Sequence, residues 1–475
     1  MNPGTWMLPT AIVAALALAT GATLVASRAA ATGFNWVVYV AANLIVFIDM
    51  IDFAMRLYFR RTCSARNDAG AATETSVTLA SRARTPYQRQ SHLRPYALVV
   101  SVHDAAGELD DFLEAMAPYR EHLWVIDDAS TDDTALRIRQ AGWRCLDGGH
   151  NRKKPGAIRA LLDHLPPEIE TVMVMDPDTS IRDVKRSDLS HLENIILDFQ
   201  RSGMAAMCPR IAIKEDGLLS RHQSLEYAMA FGLGRFSLAD RSITSGIAIY
   251  RRDALCSVFN RHSMSVYAED LENAVILLAA GNRVYYDGRL VVETDGVADW
   301  RRWFSQRVGW SYGLIKVYFE HFGEIVRTGC RSFIAGYQFF IYMGVFCLLL
   351  QPLKLLALLL LAASALSAVE SFLGLNVVPA WASISPIYFL TAYVKYSLLS
   401  ALALFLVVPR ADRRHALPIV PLYFFYAMAQ VVPVTIGYAN WLALRLAGRR
   451  VFKDHYQDET SMRHQNRISK AMEQA

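Results

Sequence analysis

The run from Met173 to Thr179, Met-Val-Met-Asp-Pro-Asp-Thr, ends an apolar stretch with two carboxylates one residue apart. Val172 to Met175 reads as a buried strand. Asp176 and Asp178 therefore project at the carboxyl edge of a sheet, where open α/β sheets bind their ligands. Two hard oxygen donors at this spacing suit Mg²⁺ or Mn²⁺ held jointly with substrate phosphates, because such ions share their sites with phosphate oxygens and water. The same residues also make a good Asp-Pro-Asp turn that caps a helix. A second acidic pair, Asp127-Asp128, follows the apolar run Leu123 to Ile126, where a carboxylate can accept hydrogen bonds from a base or ribose. Ser130 or Asp132 is placed to cap the next helix, Thr134 to Gln140. Asn151-Arg-Lys-Lys-Pro-Gly-Ala157 puts cations and a Pro-Gly turn at a helix N-terminus, a ready place for phosphate and equally a solvated basic loop. Asp270 opens a helix running from Glu269 to Ala280, after the polar stretch Asn260 to Ser265. A carboxylate there is exposed to a cleft and stabilised as an anion by the helix N-terminus, which makes it a candidate general base.

The elements that must hold these residues follow from the patterning. From Tyr96 onward, short apolar runs alternate with amphipathic helices, which predicts βαβ units and a largely parallel sheet. Ala97 to Val102 is the first strand and Glu108 to Ala117 the first helix. Outside this stretch the 475-residue chain is too apolar for an ordinary soluble enzyme: 53% of its residues are hydrophobic. A soluble domain carried by a membrane protein is the class that fits. The net charge of +5 is modest and does not suggest nucleic acid. The six cysteines have no Cys-x-x-Cys spacing, so neither zinc nor a disulfide framework is indicated.

In this order and spacing, Asp127-Asp128-Ala-Ser, Lys154-Pro-Gly-Ala, Asp176-Pro-Asp178, Thr244-Ser-Gly246 and Tyr267-Ala-Glu269-Asp270 resemble the motifs of family 2 glycosyltransferases. Within that family, the chain is similar to the membrane-embedded synthases of cellulose, hyaluronan and chitin. The resemblance covers roughly residues 96–313 and the flanking spans. It implies an α/β, Rossmann-like glycosyltransferase-A-like domain flanked by transmembrane helices, with inverting chemistry on a UDP-sugar. It also assigns roles: Asp127 and Asp128 to the nucleoside, Lys154 to the diphosphate, Asp176 and Asp178 to diphosphate and metal, and Asp270 as base. Gly246, Glu269, Gln306 and Trp310 fall to the acceptor. Sugar transfer to a hydroxyl needs a base for that hydroxyl and charge neutralisation on the leaving diphosphate, which these residue types supply. The implied partners are the UDP-sugar, a glycan or lipid acceptor, membrane lipid, and an accessory export or regulatory subunit.

One motif departs from the family. The stretch Trp300 to Gly313 resembles an interfacial Gln-x-x-Arg-Trp helix, with Gln306 and Trp310 four apart on one face, but Gly309 stands where the arginine belongs. Arg307 lies about 200° around the helix from that position and is no obvious substitute. The missing guanidinium leaves open a single transfer to a lipid, or a catalytically silent domain, beside polymer synthesis.

Residues 1–61 read as two transmembrane helices (Thr5 to Ser27, Asn35 to Phe59) and 62–95 as a basic polar linker. The domain spans 96–298, amphipathic helices 299–332, four further spans 333–444 (Phe333 to Gln351, Leu355 to Leu373, Ile387 to Val408, Leu417 to Leu444) and a basic tail 445–475. Asp52 is placed to pair with Arg56. Basic residues beside the spans orient the domain and both termini to the cytoplasmic face of the plasma (inner) membrane. In this count the loop bearing Arg410, Arg413 and Arg414 falls on the opposite face, against the charge bias, unless Phe333 to Leu373 is not two full crossings.

Overall fold

The computed structural model describes residues 35–69, 93–107, 109–182, 190–214, 217–265, 267–375, 384–408 and 413–448. The expected span Thr5 to Ser27, most of the linker, Arg410 and the tail beyond residue 448 lie outside the described residues.

The domain is built on eight strands: β1 (Tyr96–Val102), β2 (Leu123–Asp127), β3 (Cys145–Asp147), β4 (Thr171–Met175), β5 (Thr179–Ile181), β6 (Ala206–Lys214), β7 (Ala248–Arg251) and β8 (Val284–Asp295). They form one sheet in the order β3-β2-β1-β4-β7-β6-β8-β5. The pairs β1–β2, β1–β4, β2–β3 and β6–β8 are parallel; β7 runs antiparallel to β4 and β6, and β5 antiparallel to β8. This is the mixed, parallel-dominated, Rossmann-like sheet that the resemblance implies.

Alternation along each strand serves two cores. Leu98, Val100, Met173 and Met175 face the helices Leu109–Met116 (α3) and Ser190–Ser202 (α6). Ala97, Val99, Val172 and Val174 face Lys153–His164 (α5), Arg252–Phe259 (α8) and Glu269–Ala279 (α9). A helix from Thr134 to Gln140 (α4) packs beside the sheet edge, and Leu218–Met229 (α7) follows β6. The N-cap position of α4 falls to Asp133, which makes no capping bond, and Asp132, one residue earlier, accepts from the Thr134 amide at 3.0 Å.

The apolar helices are Trp36–Ala42 (α1) and Leu44–Ala69 (α2), Trp300–Glu320 (α10), Phe322–Gly329 (α11), Phe333–Leu349 (α12), Gln351–Leu373 (α13), Pro386–Val407 (α14) and Val420–Leu446 (α15). Among the described residues, three helices are long and apolar enough to cross a membrane: α13, α14 and Leu417–Leu446. A fourth is added if α1 and α2, bent by 61°, count as one. The expected Asp52–Arg56 pair forms at 2.8 Å.

One segment is shorter than the expected crossing. Helix α12 is shorter, with Tyr337–Leu349 wound in the wide π form, and its apolar residues Phe339, Met343 and Leu348 are buried in the domain's own core. Helix α15 runs side by side with α10. Trp303 Nε1 donates to Tyr426 at 3.1 Å, Ser311 donates to the Val434 carbonyl at 2.8 Å, and Phe319 stacks on Trp441 at 4.7 Å. By contrast, α2, α13 and α14 run between a far end and a domain end. At the far end Asn35 meets Tyr388 and Ser364 meets Ser385; at the domain end Arg60 reaches the Leu406 carbonyl. Val408, Arg413 and Ala416, on either side of residues 409–412, also lie at the domain end. Arg413 donates to the Val408 and Phe405 carbonyls, and Val408 and Ala416 sit against the β6–β8 edge. The segment Phe333 to Leu373 is thus one helix buried on the domain followed by one long helix. Arg413, the described member of the arginine cluster, therefore lies beside the domain.

Candidate active site

Four strand ends and two helix starts meet at the carboxyl edge of the sheet. β2 delivers Asp127 and Asp128, both buried. Asp127 accepts from the Ser130 amide at 3.3 Å, and Asp128 accepts from the Arg152 amide at 2.7 Å. Burial raises the Asp128 carboxyl above the usual range, opposed by that amide. The tight path between β2 and α5 requires Ala129 at φ 61° and Lys153 at φ 63°. It also requires glycine at 148, where a Cβ would lie 2.6 Å from the Asp127 carbonyl.

β4 delivers Asp176 and Asp178 through a turn closed by the Thr179 amide on the Asp176 carbonyl at 3.2 Å. Lys154, in the first turn of α5, joins the segments: its ammonium is 2.6 Å from Asp176 Oδ1 and 3.4 Å from Glu269 Oε1, and it donates to the Gly246 carbonyl at 2.9 Å. Burial works against the Lys154 charge, but Asp176 and Glu269 more than offset it and raise the pKa. Gly246 is closely packed: a Cβ would sit 3.2 Å from the Lys154 ammonium and 3.3 Å from Asp176, so either would have to shift by a few tenths of an ångström. Asp178 is oriented by Thr294 of β8, whose hydroxyl donates to it at 3.0 Å. Both carboxylates are hard donors. Among the described residues no group of three or more His, Cys, Asp or Glu side chains could hold a metal, so an ion here would complete its shell with phosphate oxygens and water.

Helix α9 begins with three acids in different surroundings. Ala268, at its N-cap, has φ 59°, and Met264 in the loop before it has φ 57°, so the chain turns sharply into the helix. Burial pushes the Glu269 carboxyl up to about 7; Lys154 opposes the rise, while Asp270 and Asp176 add to it. Asp270 is also raised by burial, opposed chiefly by Arg235, and its Oδ1 accepts from the Leu271 amide at 2.8 Å. Its own carbonyl accepts from Thr244 at 2.7 Å, which ties the Thr-Ser-Gly segment to the acidic motif. Glu272 is buried and saturated. It accepts from the Ser263 amide at 2.6 Å, the Ser263 hydroxyl at 2.7 Å and His321 at 3.0 Å, with Lys316 at 3.7 Å. Although burial pushes its pKa up, these partners and His262 hold it down at about 2. His262 Nδ1 accepts from the Met264 amide at 2.9 Å, so its proton is on Nε2, facing Glu272 at 3.5 Å.

The acceptor-side candidates lie on α10. Arg307 is buried and committed: it makes a two-pronged pair with Glu226 at 2.6 and 2.8 Å, and its guanidinium lies 4.3 Å from the centre of the Trp310 ring. Trp310 is 39% exposed, leaving one ring face open. The Gln306 carbonyl oxygen is buried without a protein hydrogen bond among the described residues. Gly309 packs on the acidic motif itself, since a Cβ would come within 2.1 Å of the Tyr267 ring; at Gly313 it would come within 2.8 Å of the Tyr267 backbone. The place of the absent arginine is thus taken by Tyr267.

Sequence reasoning brought Asp127, Asp128, Lys154, Asp176, Asp178, Gly246, Glu269 and Asp270 to one edge, and the structure brings them together there. Gln306 and Trp310 lie on the neighbouring helix. Gln223 of α7 ties down the segment leading into α10, bonding the Val297 carbonyl at 2.8 Å and amide at 3.2 Å. Arg235, the nearest cation to Asp270 by its electrostatic effect, gave no sequence signal, because it sits in a π-wound stretch with no motif around it. Beyond Arg235 a cavity of about 350 Å³ separates the domain from the long helices, lined among others by Glu226, Asp49, Arg56, Gln338 and Tyr396.

No family model and no curated protein matches the sequence. Among solved structures, a mannosyltransferase from Pyrobaculum calidifontis, solved with GDP-Man and Mn²⁺, is 17% identical; the match covers 82% of this chain and 99% of that one at a TM-score of 0.46. Glucosyl-3-phosphoglycerate synthase from Mycobacterium tuberculosis, solved with Mn²⁺, UDP-glucose and phosphoglyceric acid, is 14% identical, covering 47% of this chain and 79% of that one at 0.32. GalNAc-T7 with UDP, GalNAc and Mn²⁺ is 9% identical, covering 43% and 44% at 0.32.

Proposed function

We propose that the chain is an inverting, metal-dependent glycosyltransferase that takes its sugar from a UDP-sugar at the cytoplasmic face and extends a glycan, which leaves through its own spans. The observation that carries this reading is the Lys154 ammonium, held among Asp176, Gly246 and Glu269 within one acidic edge. Asp127 and Asp128 hold the nucleoside. Asp176 and Asp178 would hold Mg²⁺ or Mn²⁺ together with the diphosphate, and the ion would supply charge neutralisation on the leaving group. Lys154 turns from Asp176 to the diphosphate oxygens when the donor enters. Asp270 takes the proton of the attacking hydroxyl. Its raised pKa strengthens it as a base, and it lines a small pocket with Lys154, Gly246 and Glu269. A single displacement of this kind inverts the anomeric centre. Gln306 and the open face of Trp310 receive the acceptor sugar.

One observation favours a second reading. With Tyr267 filling the space at Gly309, the guanidinium of the family motif has no counterpart there, which suits one transfer to a lipid acceptor better than repeated extension.

The test is UDP release by the full chain in lipid nanodiscs, with Mg²⁺ or Mn²⁺ and a panel of UDP-sugars, beside Asp270→Asn. Release with one sugar, abolished in the variant, is expected, and sizing the product then chooses polymer or glycolipid. UDP binding without release from any sugar would overturn the enzymatic reading in favour of a silent domain.

A further inference from the structure

A second cavity, of about 550 Å³, lies where the outer edge of the sheet meets the long helices. Its domain wall carries four cations, Arg182 after β5, Arg210 and Lys214 on β6 and Arg221 on α7; its other wall is Val408 and Ala416, the domain-side ends of α14 and of the helix leading into α15. The volume is that of an ordinary small-molecule site. One carboxylate, Glu293, is in the lining, paired with Arg182 at 3.2 Å, and Asp295 pairs with Lys214 at 2.9 Å. Both are partly exposed pairs, a kind worth little and readily exchanged for a stronger anion. Arg221 is exposed and makes no ion pair among the described residues. Nothing in the transfer chemistry uses these four cations.

We propose that this cavity binds the phosphate of an anionic membrane lipid. The cations supply the charge, and Leu225, Ala228, Val408 and Ala416 form the apolar part of the lining, against which the start of an acyl chain would pack. The position matters as much as the charge. Two walls are ends of helices apolar enough to lie in a bilayer, which sets the cations at headgroup depth, where basic pockets capture anionic lipids. A free phosphate would gain nothing from the apolar wall. The proposal rests on membrane insertion but not on the transferase reading, so a failure of one leaves the other standing.

The experiment is lipid retention by the full chain, purified in detergent and measured by native mass spectrometry. Its arms are phosphatidylglycerol, phosphatidylcholine and inorganic phosphate. The expected result is one phosphatidylglycerol held at least about tenfold more tightly than phosphatidylcholine, weakened by salt, and not displaced by millimolar inorganic phosphate. Arg210→Gln with Arg221→Gln should lower retention by about tenfold or more, at roughly a few-fold for each cation removed. Arg139→Gln with Arg201→Gln, exposed cations elsewhere on the domain, should leave it unchanged. Because Arg210 is partly buried, Arg221→Glu alone is the second variant, at a position where folding is not at stake, and it should also weaken retention several-fold. Equal retention in both Arg221 variants, equal retention of phosphatidylcholine, or displacement by inorganic phosphate would each overturn the assignment.

Discussion

Glu269 and Asp270, on one side, and Glu272, on the other, occupy the same first turn of α9 and meet opposite surroundings. The first two are raised by burial, sit at the acidic edge and face mainly other carboxylates, Lys154 and Arg235. The third is fully buried, accepts three hydrogen bonds and has its pKa held at about 2. The helix N-terminus is common to all three, so the dipole does not distinguish them. What separates a raised carboxylate from a depressed one here is the number of donors aimed at it. Glu272 spends its charge on fixing the loop Ser263 to Ala268, whose two left-handed residues deliver the other two acids to the cleft.

Four experiments break or sharpen that contrast. Asp270→Asn, with its shape kept and its basicity removed, should lower the turnover number by about 10³-fold while UDP binding changes little. A loss confined to binding would move Asp270 out of the role of base. Glu272→Gln strips the charge from a buried site facing Lys316, His262 and His321 and should cost about 3 kcal/mol of stability, read by thermal or denaturant unfolding. The parent should show the matching acid sensitivity. A carboxyl held at about 2 when folded stabilises fully above its unfolded value near 4.5, and that contribution fades as pH falls from about 5 toward 2. Gly309→Ala forces a methyl into the Tyr267 ring and should cost about 1–3 kcal/mol, with a fall in activity larger than stability alone explains, because the displaced ring carries the acidic motif. An unchanged activity would show that the loop tolerates a shift.

The smallest effect is expected at Glu269. Its folded pKa of about 7 exceeds the unfolded value near 4.5, so the ionised carboxylate destabilises the fold progressively as pH rises from about 4.5 to 7. Glu269→Gln should therefore be about 1–2 kcal/mol more stable than the parent at pH 8 and no more stable at pH 4, the gain reduced by the partner that Lys154 loses. Equal stability at both pH values would mean that Lys154 fully compensates Glu269.

The strand β4, the acids at its end, the helix starting at Lys153 and the one starting at Glu269 were all legible in the sequence, because each signal is local: an apolar run, a Pro-Gly turn, an acidic first turn. The eight edge residues could be placed together because strand ends converge in any such sheet. What was not legible came from pairs distant in sequence. The Arg307 side chain reads as an exposed interfacial cation until Glu226, 81 positions away, is seen to clamp it. The support of Glu272 comes from His321, 49 positions on. Hydropathy alone also does not tell that Phe333 to Leu349 packs partly on the domain's core, since a helix buried in protein and one buried in lipid have the same composition.

The contact of Gly309 and Gly313 with Tyr267 and Ala268 also bears on when the site can exist. Helix α10 presses on the acidic loop with one face and on α15 with the other, where Gly437 fits against the Val308 carbonyl. A nascent chain that has finished its sheet has all of its acids and no wall behind the loop that carries them. The wall is α10, braced in turn by α15, so a fragment ending after β8 would carry every acid of the edge and lack the face that holds their loop in place.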